Sequence, residues 1–458
     1  MHESKKNSTF VADMRKYTLF ITALVCMCVH AQTRYVGGDI SMLPKFEEYS
    51  SGYKDVNGQK INDLILWFVD ECKWNTFRVR IFVDPKQQAP DYKKTDYAIC
   101  QDLAYVKALG KRIKDAGAYF LLDFHYSDSW VDAGHIQAPA AWKGLSDSLM
   151  ADTLGKYTRE VLTALKEAGA TPDLVQVGNE IMYGLCGIQV HPYNKSGDNW
   201  DGYLGLLRAG CNAVREVCPE AQIIIHTDRP SNSTYNKYYY QKLIDGEVDY
   251  DIIGLSYYPF WHGYLTDEQV KSKQDKNNLV KAVKQLAVDF PDKRVHIVEC
   301  AYNFQYWPTE GVNYDTRDVW PCSKQGQYNF VNDLVYALKP LSNVDGISYW
   351  YPEDLGNGDY VNWDTKEGLV EETWSNRGFW NENASTTGHS INRTAAPSES
   401  KPAYAVCAPY YMQVFYHWAE NITQTPDENL RGCKSIENNS LVIRVGEAKY
   451  NVLGQRLD

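Results

Sequence analysis

Leu174-Val175-Gln176-Val177-Gly178-Asn179-Glu180 is a short, mostly apolar run that ends in a turn residue, an amide and a carboxylate. Val295-His296-Ile297-Val298-Glu299 is built in the same way. A brief apolar run bounded by turn signals reads as a strand buried on both faces, the kind found in parallel sheets. Two glutamates at the ends of such strands are what a retaining glycosidase needs. One serves as proton donor and later as base, the other as nucleophile, with the carboxyls roughly 5–5.5 Å apart. Asn179, beside the first glutamate, fits a contact to a substrate hydroxyl. Polysaccharide hydrolysis is therefore the leading expectation.

Further strand-like runs lie on either side of these two. Candidates are 35–39, 76–83, 119–124, 173–178, 222–226, 251–256, 294–298 and 345–350, eight in all, the number that closes an α/β barrel. Between them the period changes to that of helices, the alternation that implies a parallel sheet covered by helices. Ile61, Leu64, Ile65, Phe68, Val69 and Cys72 form one continuous helical face. Leu103, Val106 and Ile113 face inward on a second helix that ends near Gly117, a suitable residue just past a helix end. The expected fold is thus an α/β (β/α)8 TIM barrel over residues 33–421. A length of 458 residues allows this as one unit, since such barrels run from roughly 200 to over 400 residues.

Composition narrows the partner. The net charge of -11 opposes nucleic acid and anionic membranes, which need clustered Lys and Arg. With 34 Tyr and 13 Trp, aromatic residues reach 13% of the chain, enough both to fill a large core and to stack on sugar rings. A neutral glycan and a monomeric protein are expected.

Residues 1–32 read as a leader with a secretory signal peptide. Arg15 and Lys16 precede an apolar stretch from about Thr18 to Val29, which is too short to span a membrane comfortably. Met14 is an alternative start. Leu24-Val25 before Cys26 and Cys26-Met27 before Cys28 lack the small residue that lipid-anchor processing prefers. A secreted, periplasmic or cell-surface location follows. Nine cysteines remain after the leader, an odd number that leaves at least one free thiol if the others pair, and no CxxC pair suggests a zinc site.

In a barrel the chemistry belongs at the carboxyl ends of the strands, where the loops converge. The polar or aromatic residues there are Asp39, Arg78, Asp123, His125, Asn179, Glu180, His226, Asp228, Tyr257, Glu299 and Trp350. Arg78 reads either as a structural ion pair or as a cation that holds a catalytic carboxylate ionised. His125 and His226 either brace the pocket or touch sugar. A metal set drawn from these groups lacks any HExxH-like local signature, so neither a metal nor another cofactor is expected.

The chain resembles the arabinogalactan endo-β-1,4-galactanases of glycoside hydrolase family 53. The resemblance is carried, in order, by Gly37-Gly38-Asp39-Ile40-Ser41, Trp74-Asn75-Thr76-Phe77-Arg78-Val79-Arg80 and Leu122-Asp123-Phe124-His125-Tyr126-Ser127-Asp128-Ser129-Trp130. It continues through Val177-Gly178-Asn179-Glu180-Ile181, Ile253-Gly254-Leu255-Ser256-Tyr257-Tyr258-Pro259-Phe260-Trp261, Ile297-Val298-Glu299 and Ser348-Tyr349-Trp350. It implies that Glu180 is the general acid/base and Glu299 the nucleophile, and that Asn179 contacts the sugar before the cleaved bond. It also implies that Arg78 supports Glu299, that Trp350 floors that subsite, and that Asp39, His125, Trp130, Tyr257 and Trp261 lie in or near the groove, which His226 and Asp228 join by their strand-end positions. The family usually has Glu where Tyr351 stands and Thr where Cys300 stands. The stretch 302–322 is unlike the calcium loop of some relatives, so no calcium site is carried over. That loop, with 353–373, is expected to shape the distal subsites.

Two other readings use the same residues. The pair of glutamates would serve a retaining barrel hydrolase of mannan or glucan, and a non-catalytic glycan-binding protein would keep the aromatic groove. Polar residues 383–400 read as a surface loop and 403–420 as a closing helix. Residues 422–458 are expected to be an extension, either a short β-rich unit like the tails of some secreted bacterial proteins or disordered.

Overall fold

The computed structural model describes residues 33–49, 52–55, 58–88, 100–270, 278–304, 312–354, 377–382, 400–402, 433–437, 440–445 and 448–451. The leader and the expected closing helix lie outside the described residues, as do 305–311 and 355–373 of the two expected subsite loops.

Eight parallel strands close into a barrel: β1 (Tyr35–Asp39), β2 (Thr76–Ile81), β3 (Tyr119–Phe124), β4 (Leu174–Val177), β5 (Gln222–Thr227), β6 (Ile252–Tyr257), β7 (Arg294–Cys300) and β8 (Val344–Trp350). Each strand pairs with its neighbours in sequence. β1 joins β8 on one side, with Asp39 opposite Trp350, and β2 on the other, with Asp39 opposite Arg78. All eight expected strands are present, with ends that differ by no more than a few residues.

Two apolar layers follow from the alternation of side chains along the strands. Tyr35, Leu121, Leu174, Ile224, Ile252 and Val298 fill the barrel interior. Residues such as Phe77, Val79, Leu122, Val175, Ile225 and Ile253 point outward into a second core under the helices. These helices are α1 (Leu64–Asp70), α2 (Leu103–Asp115), α3 (Asp147–Glu167), α4 (Trp200–Val217), α5 (Ser233–Asp245), α6 (Leu279–Asp289) and α7 (Lys324–Leu338). α2 buries Val106, Leu109 and Ile113, starts at Asp102, whose side chain accepts the Tyr105 N–H, and is followed by Gly117 at φ 76°. α1 begins later than its apolar face suggests. Asp63 caps it by accepting the N–H groups of Ile65 and Leu66, and Ile61 instead pairs with Tyr53 in a two-residue strand.

Trp380–Glu382 pairs with Ser400–Pro402, so the expected 383–400 loop is flanked by a short antiparallel pair. The strand-like run 441–445 lies in a three-stranded antiparallel sheet of Cys433–Glu437, Ser440–Val445 and Ala448–Asn451, which is the β-rich alternative for part of the extension. Cys72, Cys100, Cys186, Cys211, Cys218, Cys300 and Cys322 are all free thiols, so these seven do not pair. Among the described residues no helix is long and apolar enough to cross a membrane.

Candidate active site

Above the apolar plug, at the carboxyl end of the barrel, the interior turns polar around Arg78. Its Nη1 donates to Asp39 Oδ2 at 2.6 Å and lies 2.9 Å from Glu299 Oε1. Its Nη2 donates to Asp123 Oδ2 at 2.7 Å and to Asn179 Oδ1 at 2.8 Å, and its Nε reaches Gln176 Oε1 at 3.3 Å. A planar guanidinium with five donors suits this work because it can hold several acceptors in fixed directions. Burial pushes Asp39 upward, but Arg80, Arg78 and two hydrogen bonds from Ser41 outweigh it and hold the carboxyl below its usual range.

Glu299, the penultimate residue of β7, lies at irregular pairing on both sides, at Leu255/Ser256 against β6 and at Ile297/Cys300 against β8. Such bulges re-aim side chains next to active sites. One carboxylate oxygen receives Arg78 and the other accepts the Tyr258 hydroxyl at 2.7 Å. Burial raises the Glu299 pKa, and Arg78 and Tyr258 oppose the rise.

Glu180 is aimed by a turn. Gly178 has φ 92° and Glu180 itself is left-handed at φ 48°, ψ 46°, before the one-turn helix Ile181–Tyr183. A non-glycine residue in this region is strained and is characteristic of functional turns. Burial, the charge of Glu299 and that of Asp228 push Glu180 well above the usual carboxylate range, opposed by a hydrogen bond from Ser256. The Glu180 N–H donates to His226 Nδ1 at 3.3 Å, so that nitrogen is an acceptor, and Nε2 carries the proton toward Ser256 Oγ at 2.8 Å. Burial, then Arg78, keeps His226 neutral by holding its pKa well below normal. The Ser256 hydroxyl is thereby left to donate to Glu180.

Aromatic rings wall the cleft. Trp350 meets Trp130 edge-on at 6.1 Å and Tyr258 at 6.2 Å, and Tyr258 meets Trp261 at 5.4 Å. Arg80 lies 4.0 Å from the Trp130 ring centre. Arg377 is buried with its guanidinium carbon 5.2 Å from both the Tyr258 and the Trp350 ring centres, and its own carbonyl is anchored by the Tyr349 hydroxyl at 2.7 Å. Tyr351, where relatives were expected to carry Glu, stacks on Trp350 at 4.7 Å. Cys300 Sγ donates to the Ser348 carbonyl, turned away from the cleft.

The structure thus brings Glu180, Glu299, Arg78, Asn179, Trp130, Trp261 and Trp350 to one place. Asp39, Arg78, His125 and His226 are fully buried beneath the carboxylates, the bracing alternative for the two histidines and the supporting place expected of Arg78, whereas Asp39 was expected in or near the groove. His125 accepts the Val131 N–H and places Nε2 3.1 Å from Asp123. Asp228 lies at the Glu180 side, paired with Arg229. Tyr257 is corrected outright: its hydroxyl donates to the Gly263 carbonyl and its ring stacks on Phe330 in the helix layer. Tyr258 takes the place expected of it, because Ser256 and Tyr258 share the inward face that Leu255 and Tyr257 leave. Gln176, Ser256, Tyr258 and Arg377 were missed. The first three carry a readable signal, a polar or hydroxyl-bearing side chain at an inward position of a buried strand or two residues beyond it. Arg377, separated from every motif, carries none. Among the described residues no group of three His, Cys, Asp or Glu side chains is arranged to hold a metal ion.

Residues 35–392 match the profile described as Glycosyl hydrolase family 53. The chain belongs to glycosyl hydrolase family 53. It is 31% identical over 331 residues to the arabinogalactan endo-beta-1,4-galactanase of Cellvibrio japonicus, covering 69% of this chain and 80% of that one. To arabinogalactan endo-beta-1,4-galactanase A of Emericella nidulans it is 30% identical, covering 74% and 90%. The family 53 catalytic domain of Ignisphaera aggregans superposes with a TM-score of 0.62 at 26% identity, covering 83% of this chain and 97% of that domain. As a family 53 member the chain is a glycoside hydrolase, and the (β/α)8 expectation is met.

Proposed function

We propose that this family 53 enzyme is an endo-β-1,4-galactanase that cleaves galactan or arabinogalactan with retention of configuration. The observation that carries this reading is the unequal treatment of two facing carboxylates. Burial raises both, but Glu299 is held by a guanidinium and a phenol that oppose the rise and favour its ionised form, whereas the charges of Glu299 and Asp228 add to burial and favour the proton on Glu180. Glu180 then protonates the glycosidic oxygen as Glu299 attacks the anomeric carbon, forming a glycosyl ester. Glu180, now ionised, takes a proton from water, which displaces Glu299. Galactan as the substrate is supported by the names of the relatives and by the ordered motifs. The leader supports action outside the cytoplasm.

Incubation with linear galactan, mannan and β-glucan, with product sizing and proton NMR of the first reducing ends, tests the reading. Galactan alone is expected to yield oligosaccharides that appear first as β-anomers. First-formed α-anomers would remove Glu299 as nucleophile, and cleavage of mannan or glucan in preference would move the enzyme to another β-linked glycan.

A further inference from the structure

The rings of Tyr183, His191, Tyr193 and Tyr235 follow one another with centre separations of 5.9, 5.3 and 5.5 Å. The row starts at the proton donor. Tyr183 closes the one-turn helix that follows Glu180, and its hydroxyl accepts Arg229 Nε at 3.3 Å while the same guanidinium lies 5.2 Å from its ring centre. Arg229 pairs with Asp228, whose charge bears on Glu180. Asp228 Oδ1 is buried with no hydrogen-bond partner among the described residues, an acceptor left for a group outside them. Farther from Glu180, His191 is locked between Asp198 and Lys195, each at 2.7 Å, and Tyr193 is 39% exposed.

A buried, unpaired carboxylate oxygen is costly unless a ligand completes it, and the exposed Tyr193 with the half-buried Tyr183 and Tyr235 presents rings that a bound chain can cover. What covers them follows from the direction of the chemistry. The proton donor must touch the oxygen of the departing sugar, so the leaving chain lies on the Glu180 side, while Trp350 and Tyr258 stand with Glu299 on the other. In β-galactose the axial 4-hydroxyl leaves one ring face covered by C–H bonds, which packs on an aromatic ring, and the hydroxyls at its edge suit Asp228 and Arg229.

We infer that Tyr183, Tyr193 and Tyr235, with Asp228 and Arg229 at the catalytic end, form the leaving-group subsites of this enzyme and bind successive β-linked galactose units beyond the cleaved bond. This rests on the galactanase reading and adds to it where the departing chain is held.

Two substrates isolate the strip. Linear galactan covers it, whereas 4-nitrophenyl β-galactobioside places only a nitrophenyl group past the cleaved bond. In Tyr193→Ala the ratio of kcat/KM on galactan to that on the aryl galactobioside is expected to fall about 10-fold, the size of one lost stacking contact. Capture of the glycosyl-enzyme by added galactobiose should fall with it. In that transfer an acceptor hydroxyl gives its proton to Glu180 and forms the new glycosidic bond as the ester to Glu299 breaks. Tyr193→Phe keeps the ring and is expected to keep the wild-type ratio. An unchanged ratio in Tyr193→Ala, or an equal fall in Tyr193→Phe, overturns the strip. A wild-type enzyme that cleaves mannan but not galactan overturns the galactanase reading instead, and with it the occupant named here.

Discussion

At the scale of single residues, the two glutamates differ in what surrounds them, and each difference is measurable. Glu180→Ala should retain the first step on an aryl glycoside, whose leaving group needs little protonation, and lose the base for the second. Added azide, a nucleophile that needs no base, is expected to restore turnover and yield a β-glycosyl azide. Glu299→Ala is expected to be inactive on every substrate, and a β-azide from that variant would reverse the two roles. Tyr258 gives a pH test. Its hydroxyl lowers the Glu299 pKa from the value that burial alone would impose. Activity needs Glu299 ionised, so it rises with pH through the Glu299 pKa and falls again as Glu180 loses its proton. Tyr258→Phe removes the hydrogen bond and raises the Glu299 pKa, so the acid limb of kcat/KM should move to higher pH and the maximum should drop about 10-fold or more. An acid limb that stays in place would mean that Arg78 alone sets the charge of Glu299.

Single elements aim these side chains, and the β4 turn is the most demanding of them. A Cβ on Gly178 would lie 2.6 Å from Ile181 Cγ2, at a φ of 92° that L-residues avoid. Gly178→Ala must shift the turn that carries Asn179 and Glu180, at a cost of about 1–3 kcal/mol for the backbone. Because a 1 Å misplacement of a catalytic group costs about 100-fold in rate, kcat/KM should fall by that order. Urea denaturation read beside kinetics checks it. Normal turnover with reduced stability would show that the turn relaxes away from Glu180. Bulges on both sides of β7 do the corresponding work for Glu299, and register also explains Tyr257 and Tyr258: one residue along a strand exchanges the cleft for the helix layer.

For the whole molecule, the barrel separates an apolar plug from a polar catalytic layer. Leu121 is fully buried among Leu174, Ile224 and Ile252, and Leu121→Ala is expected to cost about 2–5 kcal/mol. The pH profile should stay as in the wild type, since neither Glu180 nor Glu299 belongs to that layer, although Leu121 is the register partner of Arg78. A moved pH optimum in a folded Leu121→Ala enzyme would show that the plug and the catalytic layer are not independent.

What this chain settles by sequence alone is what has a local physical signature. Apolar runs of strand length mark all eight strands, because a strand covered on both faces must be apolar, and their alternation with helical faces leaves a closed parallel barrel as the arrangement. Glu180 and Glu299 are legible for the same reason: a carboxylate that ends such a run is conspicuous. Tertiary structure decides what depends on direction and on distant partners. Asp39, Arg78, His125 and His226 sit at strand ends where either a bracing or a substrate-facing role is open, and packing decides it by burying all four beneath the cleft. Arg377 lies far along the chain from any motif and reaches Tyr258 and Trp350 because Tyr349 and Gln327 pin its carbonyl against β8. Sequence patterns report which residues are buried; which neighbour each one meets is set by the closure of the barrel, where eight distant segments converge on a single mouth.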